Sequence, residues 1–333
     1  MDTGEIKKYI GNWYQIAGTR HATLSEGSAK GTRIIDVRTG GGLEYTIVCD
    51  RGLDISLASY NGVNFTYLSA NGEVHPAYYN CIGSEWLRVF FAGLLTTCGP
   101  VNIGPACIDQ GEHLGLHGRF NVTPAVKVCD LTDYDAENPG IKITGEILND
   151  TLFSEKIKFR REIFSPFGKN LIQITDKAMN YAAKAVPFAI LYHINFGYPF
   201  LDENTLIHVN GSGVEPMDEN ANSFKSEINS FKKPVADVQE KNYLYSFKGI
   251  KTGTAYIINK ISKLVINIRF DTQTLKFLNL WKMGGVNEYV LALEPCNVPC
   301  KSRKELRNEG QLEWLQPGET KVIKFEIEVS REE

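Results

Sequence analysis

The chain has 333 residues, 43% of them hydrophobic and 23% charged, with a formal net charge of -3. That is the composition of an ordinary globular protein with room for a large core, and it lacks the basic excess that nucleic acid or an anionic membrane would demand. The N-terminus has no basic, apolar, small-residue order of a signal peptide and no apolar run is long enough to span a bilayer, so a cytoplasmic protein that engages neither nucleic acid nor membrane is expected.

Residues 1–31 read as a helical lead-in, with Ile6, Tyr9 and Ile10 at helical spacing before Trp13. From Thr32 to the end at residue 333 the texture is that of one β domain. Arg33 to Arg38 and Leu43 to Val48 alternate around Thr-Gly-Gly-Gly, a hairpin signal. Asp50 to Ile55 and Leu57 to Tyr60 follow as strands, with Asn61-Gly62 as a turn before Val63 to Leu68. Thr96 to Pro105 is broken by four Gly or Pro residues, which forces irregular backbone. Short strands then run almost to the end, with good alternation at Lys158 to Phe164 and Leu171 to Thr175. Asn220 to Asn242, rich in lysine, reads as a surface excursion. Lys301 to Leu306 reads as a short helix and Thr320 to Val329 as the last strand. Many short strands, few helices and no fixed-period repeat predict an all-β sandwich or barrel.

Seven cysteines, at 49, 81, 98, 107, 129, 296 and 300, have no disulfide-scaffold or zinc-ribbon spacing. They read as reduced core residues behaving as small hydrophobes.

The stretch Asp109 to Phe120 packs three glycines, two histidines, two carboxylates and an arginine into twelve residues. Gly111, Gly115 and Gly118 disfavour a helix and place His113, His117 and Arg119 on a loop or strand end, where binding groups concentrate. The plain alternative is a polar turn. His193 and Glu294 lie in otherwise apolar strands, and a proline follows Glu294. A carboxylate so placed is partly desolvated, which raises its pKa toward the range of a general base. The plain alternatives are a hydrogen-bonded core histidine and a salt bridge at a strand end.

In order along the chain stand Asp50-Arg-Gly-Leu-Asp-Ile55, Gly93-Leu-Leu-Thr-Thr-Cys-Gly99, Gly115-Leu-His-Gly-Arg119, His193-Ile-Asn-Phe-Gly-Tyr-Pro199 and Leu293-Glu-Pro-Cys-Asn297. This set resembles the galactose mutarotase (aldose 1-epimerase) superfamily from Thr32 to Val329. It is most similar to the branch of aldose-1-epimerase-like proteins of poorly defined function. The resemblance implies an all-β fold, a large β-sandwich (supersandwich) with short peripheral helices. It also implies an isomerase that interconverts the anomers of an aldose or aldose derivative by acid-base ring opening, without metal or organic cofactor. It puts His193 in the role of general acid, Glu294 in that of general base and His117 in that of a substrate-binding histidine.

Two departures stand out. The family's Gly-Arg-x-x-Asn-Arg is replaced by Thr96 to Asn102, so its sugar-gripping arginine is missing, with Arg51, Arg88 or Arg119 as substitutes. Arg119 also stands where glycine follows Leu-His-Gly, which favours an acidic or phosphorylated sugar. With Asn195 and Trp281, His117, Arg119 and Arg51 make up the expected substrate contacts. Trp86, Tyr192, Phe196 and Tyr198 supply further aromatic surface, most of it expected in the core. The expected partner is a small sugar, bound by a monomer or homodimer. Two other readings stay open: a metal-dependent sugar isomerase or epimerase drawing on Glu112, His113, His117, His193 and Glu294, and a non-catalytic sugar-binding protein.

Overall fold

Alternation of apolar and polar residues becomes long antiparallel strands in the computed structural model, which describes residues Thr3 to Glu332. Five strands form a sequential sheet: Gly18–Thr23, Arg33–Arg38, Leu43–Val48, Asp54–Tyr60 and Val63–Asn64. An eight-stranded sheet runs, in spatial order, Thr205–Val209, Thr252–Asn259, Leu264–Asp271, Thr320–Arg331, Leu171–Asn180, Lys156–Pro166, Gly140–Asp150 and Val126–Asp130. A six-stranded sheet runs Gly213–Pro216, Lys241–Ser246, Phe277–Gly284, Tyr289–Cys296, Leu191–Gly197 and Thr96–Cys98. Inward side chains of all three meet in one core, among them Ile35 and Ile47 from the first, Phe159, Ile174 and Ile268 from the second, and Ile194, Leu280 and Leu293 from the third. The expected β-sandwich with short peripheral helices is what the chain forms.

A buried ionic cluster lies between the sheets. Arg161 donates to Asp176 at 2.9 and 2.7 Å, to Asp54 at 2.7 Å and to Thr97 Oγ1 at 2.9 Å, all of these side chains fully buried. Tyr192 Oη adds a bond to Asp176 at 2.8 Å. Burial drives the Asp54 carboxyl up to about 6 despite Arg161 and Thr97.

Several local expectations need correction. Among the described residues of the lead-in, helix is confined to Thr3–Ile6 and two 3₁₀ turns, Trp13–Gln15, capped by Asn12, and Gly27–Ala29. Gly18–Thr23 pairs with Arg33–Arg38, so the boundary expected after residue 31 cuts a sheet; an edge strand gave those backbone groups partners that a helix pattern does not reveal. Asp50 to Leu53 is a turn rather than a strand, with Gly52 and Leu53 at φ +66° and +55°. Cys81 and Cys129 are exposed, not core. The helix after Cys300 is Arg303–Asn308, set two residues later than expected by the Ser302 and Glu305 capping box. Among the described residues no helix is long and apolar enough to cross a membrane.

Candidate active site

Strand parity builds the site. In Leu191–Gly197, Tyr192, Ile194 and Phe196 enter the core, which turns His193 and Asn195 to the other face of the six-stranded sheet. In Phe277–Gly284, Leu278 and Leu280 enter the core, so Asn279 and Trp281 share that other face. Leu291 and Leu293 do the same for Glu294. The pairs Leu191↔Cys296 and Ile194↔Leu293 set His193 opposite Glu294, while Thr96 and Asn279 pair with these two on their outer sides. Thr96, His193, Glu294 and Asn279 therefore form one row across four strands.

His193 Nε2 and Glu294 Oε1 are 3.2 Å apart, with the side chains 6% and 2% exposed. Asn279 Nδ2 donates to Glu294 Oε2 at 2.9 Å and lies 3.1 Å from Asn242 Oδ1. Burial pushes Glu294 up to about 8, Asn279 opposing and the Glu240 carboxylate adding to the rise. Burial pushes His193 down to about 3, with His117 contributing in the same direction. Burial thus pushes each member of the pair toward its uncharged form. His193 sits in a ring of aromatic neighbours, Phe90, Trp281 and His117, with centroids at 5.2, 5.4 and 6.0 Å. Trp281, partly exposed, donates Nε1–H to Glu240 Oε2 at 2.7 Å.

His117 arrives from a strained loop, at φ +57° and followed by Gly118 at φ +73°. A Cβ on Gly118 would lie 2.5 Å from the Gly99 carbonyl oxygen, so only glycine lets the two segments touch. Gly99 N–H donates to His117 O at 2.9 Å, and Arg119 and Phe120 N–H both donate to Gly99 O at 3.0 Å. The His117 ring rests on Trp86 at 4.7 Å, and its Nδ1 lies 2.6 Å from Ile103 O. A carbonyl can only accept, so Nδ1 carries the hydrogen and Nε2 offers a lone pair. Burial holds His117 neutral, at about 4.

The structure brings His117, His193, Asn195, Trp281 and Glu294 together. Asn195 Nδ2 donates to His193 O at 3.0 Å. His193 Nδ1, Asn195 Oδ1 and Asn279 Oδ1 are buried without a hydrogen-bond partner among the described residues, which marks this face as a place for polar ligand atoms. Arg51 is a correction. Its guanidinium is fully buried and donates to Asn121 O, Val74 O and Val89 O at 2.5, 2.7 and 2.8 Å, tying three loop segments together instead of gripping sugar. Arg88 is exposed and paired with Glu85. Arg119 is exposed with its charge felt by the Tyr79 hydroxyl. Trp86 is a buried support bonded to Asn121 Oδ1 at 2.9 Å, Tyr192 and Phe196 are core, and Tyr198 is 74% exposed. The donors gathered for the metal reading are dispersed: Glu112 bonds Arg303 at 2.5 Å and His113 is exposed on the hairpin Cys107–Asp109 with Glu112–Leu114. No group of three metal-ligating side chains occurs among the described residues. Sequence reasoning missed Asn279, Asn242, Phe90 and Glu240. For Asn279 a signal existed, two residues before Trp281 in an alternating strand.

Comparison with known proteins places the fold. A family model described as a domain of unknown function, DUF4432, matches residues 29–329. The structure of a candidate aldose 1-epimerase from Klebsiella pneumoniae superposes with a TM-score of 0.88 at 23% identity, covering 98% of this chain and 90% of that one. A galactose mutarotase-like protein from Clostridium acetobutylicum gives 0.64 at 14% identity over 96% of this chain and 100% of that one. Galactose 1-epimerase from Lactobacillus acidophilus gives 0.62 at 12% identity over 95% of this chain and 100% of that one. No curated protein sequence matches. With the family model spanning nine-tenths of its length, the chain belongs to the DUF4432 family and has the galactose mutarotase-like fold.

Proposed function

We propose that this protein is a sugar mutarotase, an isomerase that opens and recloses the hemiacetal ring of an aldose at the His193 and Glu294 pair. The observation that carries the reading is the 3.2 Å contact between two buried, oppositely tuned acid-base groups. Mutarotation needs one proton delivered to the ring oxygen and one removed from the anomeric hydroxyl while the bond from the anomeric carbon to the ring oxygen breaks. From the resting state Glu294 gives its proton to the ring oxygen and the His193 imidazole takes the hydroxyl proton, leaving the open aldehyde beside a carboxylate and an imidazolium. Rotation about the bond next to the carbonyl presents its other face, and both protons return as the ring closes. The resemblance implies the opposite opening roles, histidine as acid and carboxylate as base; the order proposed here follows from burial favouring the uncharged form of each group. His117 Nε2 accepts a sugar hydroxyl, Asn195 Oδ1 accepts another, and Trp281 offers a partly exposed face.

The test is proton NMR of freshly dissolved single-anomer aldoses with wild type and Glu294→Gln. Faster anomeric equilibration by wild type, reduced by roughly a hundredfold or more in the variant, is expected. Binding without acceleration, unchanged by added divalent ions, would leave a sugar-binding protein; acceleration that depends on such ions would favour the metal-dependent reading.

A further inference from the structure

Glu240 stands apart from the acid-base pair yet is coupled to it. It immediately precedes the strand Lys241–Ser246, in which Tyr243 and Tyr245 enter the core and Asn242 faces the site. Parity therefore sends Glu240 to the same face as Asn242. Its carboxylate accepts from Trp281 Nε1 at 2.7 Å, and Trp281 packs on His193. Its main chain is held as well, Asn220 Nδ2 donating to Glu240 O at 2.9 Å. Neighbouring cations are engaged elsewhere: Lys241 lies over the Phe224 ring, and Lys282 donates to Glu227 O and Ser230 O at 2.6 Å each. Among the described residues Glu240 has no ion-pair partner. An exposed carboxylate held by Trp281, without an ion-pair partner among the described residues, thus borders a site whose two histidines burial pushes toward their uncharged form.

We propose that Glu240 is the specificity-determining residue of the site, admitting uncharged aldoses and disfavouring anionic ones such as sugar phosphates and uronic acids. This rests on the mutarotase reading for its substrate class. The physics is like-charge repulsion near a low-dielectric site, which acts on approach and on binding and is screened by salt. It runs against the expectation attached to Arg119, whose cation would draw anionic sugars.

Glu240→Gln separates charge from structure, because the amide oxygen still accepts from Trp281. The experiment compares kcat/KM for a neutral aldose and its 6-phosphate in wild type and the variant, at low and high salt. Wild type is expected to prefer the neutral sugar, and the variant to narrow that preference by roughly tenfold at low salt and less at high salt. A wild type that prefers the phosphate, or an unchanged ratio in the variant, overturns the proposal. If no sugar is equilibrated, the mutarotase reading fails, and saturation-transfer binding of the same two sugars decides this one: a neutral-sugar preference that shrinks in Glu240→Gln sustains it, and an unchanged preference or no binding overturns it.

Discussion

At the scale of single residues, the site is two buried groups each pushed toward its uncharged form. Glu294 sits at about 8 in the folded chain against roughly 4.3 when unfolded. Between those values the folded state holds more protons, so this contribution to stability is complete at low pH and lost as pH rises through the window. Glu294→Gln should therefore gain stability relative to wild type from about pH 5 to about pH 8, read from urea midpoints. His193, at about 3, has the opposite sign: its contribution is present above the ordinary imidazole range and is lost as pH falls. Activity should fall above about pH 8, where the shared proton leaves the pair. Arg51 makes a contrasting case. Arg51→Lys leaves some of its three carbonyl partners unsatisfied and should cost about 2 kcal/mol or more. The KM of the folded fraction should not change; a raised KM with unaltered stability would return Arg51 to the sugar.

At the scale of elements, function depends on two loops meeting. His117 comes to lie beside His193 because the segment after Leu116 closes against Gly99. Gly118→Ala meets both a positive φ and the Gly99 carbonyl at 2.5 Å. It should lower kcat/KM by moving His117 and destabilise the fold by about 2 kcal/mol. Circular dichroism melts alongside rates would check this, and an unaffected melt and rate would show that the loop yields freely. The excursion at Asn220 to Asn242 also has more to do than cover surface: Phe231 is buried, Lys282 is clasped by its carbonyls, and its end delivers Glu240 and Asn242 to the site.

At the scale of the whole molecule, the Arg161 cluster ties the sheets together directly behind His193. It joins Asp176 and Arg161 of the eight-stranded sheet, Asp54 of the five-stranded one, and Thr97 and Tyr192 of the six-stranded one. Arg161→Met strands two buried carboxylates and should cost about 3–5 kcal/mol, seen as a large fall in the urea midpoint. A fall of less than about 1 kcal/mol would show that the carboxylates readily take up protons instead.

The sequence by itself determined the all-β class and the principal hairpins and singled out His117, His193 and Glu294 as candidates, because period-two alternation and ionisable residues inside apolar runs are local signals. It left the use of each arginine undecided: Arg51 is expected at the sugar and no local signal marks Arg161, and only packing shows the two buried against carbonyls and carboxylates. Register, too, belonged to the tertiary structure. Pairing between strands far apart in the chain sets His193 beside Glu294, in line with Asn279 from the next strand of the sheet, and that pairing depends on where a whole sheet buries its apolar face.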